Sequence, residues 1–404
     1  MLTSSPPGTL DGMSPGTSPI APTRTIARSG NPKAAFRFVD LFAGIGGIRA
    51  GLEGSGGRCV FSVEIDRFAK RTYEANWGPV DSSDIRDVKC DEVPTHEILA
   101  AGFPCQPFSL AGVSKKQSMG VAHGFDDVAS GNLFFQIIRL IGGPWDLGLD
   151  ELRDEAQTPE AGDERFLNEG VAIADAPPVL LLENVRNLLS HDAGRTFRVI
   201  RRRLERSGYR VSSRLVNSAA WVPQNRRRVV IVGLRKDLFD EPFAIPDPPD
   251  AKAGPRLNES FLENDPTVLE RYRITDGTWR ALKEHKARHA VNGNGFGYGL
   301  AELGMATRTL SARYYKDGAE ILIPMPDGSE PPRRLTPSEC ARLMGFSVEH
   351  IGREFVVPAG VSDVQAYRQF GNSVVVPQFK WIASLIAAHA ASVFEDRLEA
   401  GAVA

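Results

Sequence analysis

Short apolar runs alternate with segments of helical period along the first half of the chain. Residues 36–42 are apolar apart from Arg37 and one acid, Asp40, and end in Ala43-Gly44-Ile45-Gly46-Gly47, after which a helical stretch runs toward Leu52. That order predicts strand, glycine turn, helix. A second strand is expected over residues 58–64 and a helix over 67–76. A third, short strand leads to Asp84-Ile85. A fourth, residues 96–101, runs into Gly102-Phe103-Pro104-Cys105-Gln106-Pro107. A helix over 133–141, a strand over 178–182 ending at Glu183-Asn184, a helix over 194–207 and a strand over 228–234 continue the alternation. Strands alternating with helices imply an α/β fold, a parallel sheet covered on both faces. Ligands of such sheets gather at the carboxyl ends of the strands. The glycine turn, Glu64, Asp84, Cys105 and Glu183 all fall at such ends, which points to one active site.

Two stretches break the pattern. Residues 142–176 are acidic and Gly-rich and read as a surface insert. From 237 to 332 the alternation fails, with proline runs and then Asn292-Gly293-Asn294-Gly295-Phe296-Gly297-Tyr298-Gly299. It returns near Leu335 and holds to about Phe394. The expected organisation is a disordered tail (1–33), a catalytic cofactor-binding domain (34–236), a smaller irregular domain (237–332) and a segment (333–404) that completes the catalytic domain.

The chain has 404 residues, 42% of them hydrophobic, and a formal charge of −2. The whole does not announce nucleic acid, although a basic cleft can sit on an acidic protein. Four cysteines, none spaced as Cys-x-x-Cys, argue against a metal site or a disulfide framework and suit a reducing cytoplasm. Residues 1–32 are rich in Ser, Thr, Pro and Gly without a long apolar run, so they read as neither signal peptide nor anchor. No apolar stretch approaches the length of a membrane helix.

The glycine turn lets backbone approach a ligand closely, and Glu64 after the second strand can accept ribose hydroxyls. Arg49 stands where a full dinucleotide fingerprint needs its third glycine. A pyrophosphate is therefore not demanded, and an adenosyl ligand or a purely structural turn fits as well. Two prolines fix the backbone around Cys105, as suits a held thiolate nucleophile; a buried structural cysteine is the alternative. Glu183 follows an apolar run, where desolvation favours the protonated acid; a salt-bridged Glu is the alternative. Gln224-Asn225-Arg226-Arg227-Arg228 precedes a strand, and its alternate arginines can orient a carboxylate, a base or a phosphate, or can simply be solvated.

Read in order, Asp40-Leu41-Phe42-Ala43-Gly44-Ile45-Gly46-Gly47, Gly102-Phe103-Pro104-Cys105-Gln106-Pro107-Phe108-Ser109, Glu183-Asn184-Val185 and Gln224-Asn225-Arg226-Arg227-Arg228 form a series. Arg334-Leu335-Thr336-Pro337, with Glu339-Cys340-Ala341-Arg342, and Gln369-Phe370-Gly371-Asn372-Ser373-Val374 complete it. The series resembles the cytosine-5 DNA methyltransferase family over residues 38–377. The resemblance implies a Rossmann-like S-adenosylmethionine-dependent methyltransferase with a mostly parallel twisted sheet and a smaller irregular target-recognition domain at 237–332. It implies Cys105 as nucleophile, Glu183 as acid, and Arg226 and Arg228 as the residues that hold the base and Glu183. Phe42, Gly44, Gly46, Glu64, Asp84, Ile85, Leu133 and Asn372 would surround S-adenosylmethionine, with no metal. Ser109, Thr309, Arg313 and Lys316 would contact DNA. Gly293 to Gly299 and residues 307–318 resemble the Dcm-type subgroup, which methylates the inner cytosine of CCWGG. The implied setting is a monomer on duplex DNA in a prokaryotic cytoplasm, without a membrane and beside a cognate restriction endonuclease. An RNA methyltransferase, a catalytically dead relative and a nicotinamide dehydrogenase are the competing readings.

Overall fold

The computed structural model describes residues 34–104, 133–143, 176–291, 293 and 296–403. The tail at 1–33, most of the insert at 142–176, and Cys105 and Ser109 lie outside the described residues. Strand β1 (Phe36–Leu41) leads through the glycine turn to α1 (Gly47–Glu53), β2 (Gly57–Val63) and α2 (Arg67–Trp77). Next come β3 (Ile98–Gly102), α3 (Leu133–Leu140), β4 (Val179–Val185), α4 (Arg195–Arg206), β5 (Tyr209–Asn217) and β6 (Arg227–Arg235). Among the described residues they form a six-stranded sheet ordered β2-β1-β3-β4-β6-β5. Strand β1 is parallel to β2 and β3, and β3 to β4, whereas β6 is antiparallel to both β4 and β5. The reversal follows from chain length. Only residues 218–226 join β5 to β6, too few for a crossover helix, so β6 turns back as a hairpin partner. Helix α4 has already carried the chain one place beyond β4, and β6 fills the gap.

The two faces of the sheet are read off alternate residues. Val39, Leu41, Leu99, Ala101, Leu180, Leu182, Val229 and Ile231 pack against Phe134 and Ile138 of α3 and against Ile200 and Leu204 of α4. Their neighbours Phe38, Ile98, Ala100, Val179, Leu181, Val230 and Val232 pack against Ile48 and Leu52 of α1 and against a C-terminal layer. Burying each such side chain contributes roughly 1.5–3 kcal/mol. Covering both faces is why these strands read as continuous apolar runs.

The rest of the chain comprises α5 (Pro266–Tyr272), α6 (Asp276–Val291), α7 (Pro337–Leu343), α8 (Val348–Ile351), α9 (Asp363–Asn372), α10 (Val376–His389) and α11 (Ala391–Val403). Phe379, Ile382 and Ile386 of α10 and Phe394 of α11 supply that layer. Helix α10 lies so close to α1 that a Cβ on Gly51 would come within 2.6 Å of Phe379 Cβ. The C-terminal helices therefore fold back beside α1. No strand forms over 335–403. Within 237–332, Trp279, Leu282 and Leu322 make a small cluster of their own. Leu257, Leu310, Tyr314 and Ile323 instead share a core with Leu335, Leu343, Tyr367 and Phe370.

Three expectations change. The strand before Asp84 reduces to a single bridge between Val63 and Asp81, and Asp84 sits in a loop. Glu183 lies inside β4 rather than after it. Strand β5, at the sheet edge, was absent from the sequence reading.

Candidate active site

The turn after β1 has positive φ at Phe42 (57°), Gly44 (57°) and Gly46 (83°). Such values are uncommon outside glycine, and their concentration here marks a built conformation. Beneath the turn, Trp77 donates its indole N–H to Ile45 O at 2.9 Å. A Cβ at Gly46 would fall 2.2 Å from that nitrogen, so only glycine lets the indole close on the turn. At Gly44 an added Cβ would meet nothing within 4 Å. The turn is thus packed on one side and open on the other, as close approach of a ligand to backbone needs.

Glu64 follows β2 and faces this turn. Its carboxylate accepts from Gly44 N at 2.8 Å and from Asp66 N at 2.7 Å. Burial raises its pKa, and these two N–H groups oppose the rise. Phe42, Ile85 and Leu133 belong to one apolar cluster, and Arg139 of α3 fixes Ile85 by donating to its carbonyl at 2.9 Å. Asn372 is exposed at the end of α9. Its neighbour Ser373 packs on the turn, with Oγ 2.6 Å from where a Gly47 Cβ would lie. Glycine turn, acid, apolar wall and Asn372 segment therefore converge. Asp84 is differently engaged: Arg86 forms an ion pair with it at 2.5 Å and holds its carboxyl below the usual range.

At the other end of this strand edge, β3 and β4 run side by side, with Gly102 opposite Glu183. The chain is described to Pro104, one residue short of Cys105. Asn184 pins the chain just before it, donating from Nδ2 to Phe103 O at 3.1 Å. Glu183 is 8% exposed, its Oε1 3.0 Å from Arg228 Nε. Burial pushes the Glu183 carboxyl up, opposed by Arg228 and then Arg226. Reversal of β6 makes this pair possible, since it sets the start of β6 against the end of β4, with Val185 opposite Arg228. A cleft of about 460 Å³ opens here, lined by Val185, Asn187, Asn225, Arg228 and Thr309 among others.

Arg226 takes a different part from Arg228. It is 1% exposed and donates to Leu310 O at 2.8 Å, Gly371 O at 3.0 Å and Ser373 O at 2.6 Å. The sequence reading set both arginines on the base and Glu183. Arg228 contacts Glu183 directly, and the hydrogen bonds described for Arg226 run to backbone carbonyls. Gln224 adds to this junction, donating to Leu343 O at 3.0 Å and accepting from Leu310 N at 2.9 Å. Neither Gln224 nor Asn184 had been given a role, although both lie within the quoted motifs. Thr309 is half-buried and donates its hydroxyl to Asn225 O. Arg313 and Lys316 are exposed on either side of Tyr315, whose ring carries Arg368 at 4.6 Å.

Asp40, behind the turn, is fully buried, and burial raises its pKa well above the usual carboxylate range against the opposing charge of Arg49. A carboxyl raised on folding contributes stability that is full below about pH 4 and is lost as pH rises through its folded value. Asn imitates the protonated form. Asp40→Asn is therefore expected to be at least as stable as the parent at pH 8, with the difference closing toward acid pH. Denaturant unfolding at pH 5 and pH 8 checks this, and a variant weaker only at pH 8 would contradict it.

Comparison with known proteins agrees with this geometry. Residues 36–143 and 169–388 match the C-5 cytosine-specific DNA methylase family. The DNA-cytosine methyltransferase of Escherichia coli K12 is 42% identical over 88% of this chain and 78% of its own length. The type II methyltransferase M.NlaX of Neisseria lactamica is 41% identical over 90% of this chain and 99% of its own. The S. pombe Dnmt2 methyltransferase crystal structure shares the fold, with a TM-score of 0.60 at 18% identity over 89% of this chain and 99% of that one. With most of its length matched by the family and by relatives more than 40% identical, the chain belongs to the C-5 cytosine-specific DNA methylase family and is a DNA-cytosine methyltransferase.

Proposed function

We propose that the enzyme methylates the inner cytosine of CCWGG in duplex DNA through a covalent adduct with Cys105, with Glu183 as the acid. The observation that carries this reading is the buried Glu183, paired with Arg228 and opposite Gly102, three residues before Cys105 in the chain. Carbon 5 of cytosine is a poor nucleophile. The Cys105 thiolate adds to carbon 6, Glu183 delivers a proton to ring nitrogen 3, and the displaced electron pair makes carbon 5 enamine-like. Carbon 5 takes the methyl group, then loses its proton to a base. The thiolate leaves as nitrogen 3 returns its proton. A thiol in a pocket cannot reach carbon 6 of a stacked base, so the cytosine is extruded.

S-adenosylmethionine supplies the methyl group when bound. The residues present suit it: an open turn at Gly44, an apolar wall of Phe42, Ile85 and Leu133, and a carboxylate at Glu64. Each Glu64 oxygen keeps acceptor capacity beyond its backbone bond. Glu64→Ala is expected to weaken S-adenosylmethionine binding by roughly 1–3 kcal/mol, the scale for lost charge-assisted hydrogen bonds. Calorimetry on the folded variant checks this; unchanged affinity would remove Glu64 from the site.

Residues 237–332 are proposed to read the target, with Ser109, Thr309, Arg313 and Lys316 touching DNA and a cognate restriction endonuclease sharing the sequence. The CCWGG assignment rests on residues 293–299 and 307–318. Mapping 5-methylcytosine on duplexes with intact and scrambled sites tests it. Methylation confined to the inner cytosine supports the reading, methylation of another sequence overturns the target, and methylation of tRNA alone overturns the substrate.

A further inference from the structure

Two guanidinium groups on the cleft take no part in the chemistry above. Arg186 follows β4 at once, three residues after Glu183, and Arg227 opens β6, one residue before Arg228. Both line the cleft and both are exposed. Neither has an ion-pair or side-chain hydrogen-bond partner among the described residues. Arginines on neighbouring elements are tied: Arg195 to Asp192, Arg201 to Glu205 and Arg214 to Asp247. Among the described residues, the one ion pair of Arg228 is with Glu183. Three guanidinium groups around one cleft repel one another unless an anion enters.

Resting on the reading that this cleft receives a cytosine from duplex DNA, we propose that Arg186 and Arg227 grip the phosphodiester backbone of the strand that carries the target base. Guanidinium donors match phosphate oxygens in pairs, and phosphate contacts fix register without reading sequence. The adjacency in the chain gives the grip its use. A phosphate held by Arg186 and Arg227 sets the nucleotide one to three residues from the Glu183–Arg228 pair. They are positioning residues: they hold the strand while the base is out of the stack.

The test compares Arg186→Ala, Arg227→Ala, the two Lys variants and the double Ala variant on one duplex, at several salt concentrations. Each lost phosphate contact lowers the slope of log affinity against log salt by about one. The double variant should lose about two, the Lys variants should keep most of the slope, and KM for DNA should rise more than kcat falls. S-adenosylmethionine affinity should not change. On the wild-type enzyme, neutral methylphosphonates flanking the target should reproduce the loss, and the double variant should no longer respond to them. Equal slopes and equal methylphosphonate responses in wild type and double variant would overturn the proposal. The methylphosphonate series needs no variant to fold. Failure of the wild type to methylate any cytosine duplex overturns the reading of the cleft itself, whereas methylation with unchanged slopes overturns only Arg186 and Arg227.

Discussion

Cys105→Ser is expected to lower turnover by roughly 10³–10⁶-fold, the scale on which enzymes lose rate with their nucleophile. An alcohol is scarcely ionised near neutral pH, so addition to carbon 6 stops and carbon 5 stays unreactive. Sulfur and oxygen differ little in size, so DNA and S-adenosylmethionine should still bind. The wild type should also be trapped by duplex containing 5-fluorocytosine, because fluorine at carbon 5 cannot leave as a proton does. A denaturing gel with that duplex and S-adenosylmethionine reads both results. A stable adduct with the wild type and none with Cys105→Ser fits the mechanism. An adduct mapped to Cys59, Cys90 or Cys340, or near-normal methylation by the serine variant, ends it.

Glu183→Gln is expected to reduce kcat by roughly 10²–10⁴-fold, the usual worth of a positioned general acid. The sign of the pH dependence follows from burial, which raises the Glu183 carboxyl. The acid is competent while protonated, so the rate it supports is full below its folded pKa and falls as pH rises through it. Its contribution to stability runs the same way, present at acid pH and lost as pH rises. Gln keeps an amide oxygen for Arg228 without the buried charge, so the variant should be slower yet no less stable at pH 8. Single-turnover rates from pH 5 to 9 decide: a falling limb that survives in Glu183→Gln belongs to another group.

How much of this was legible in the sequence depended on what each residue contacts. Strands buried on both faces announced themselves as apolar runs, and the residues at their ends could be placed before any coordinates. Strand β5 escaped because Ser212, Ser213 and Arg214, none of them buried, interrupt its apolar positions at the sheet edge. The reversal of β6 is set by the length of one connection, which hydrophobic pattern does not encode. Glu64 and Glu183 stood out as acids next to apolar runs, although Glu183 lies within β4 rather than after it. The backbone contacts of Arg226 were not legible, because they reach carbonyls far along the chain, and sequence spacing carries no trace of them. The pairing of Asp84 is local, with Arg86 two residues away.

The junction at Gln224 and Arg226 bears on how such enzymes come to differ in what they read. Both side chains grasp the main chain of Leu310, and Arg226 grasps that of Gly371 and Ser373 as well. Amide and carbonyl groups are the same whatever residue bears them. A graft of recognition sequence from a relative can therefore change side chains freely around Leu310, provided the backbone keeps its path and length there. One that cuts at 237 and 332 and imports a different spacing would pull the clamp apart. Side-chain substitution in this stretch should leave the clamp intact, and insertion or deletion should break it.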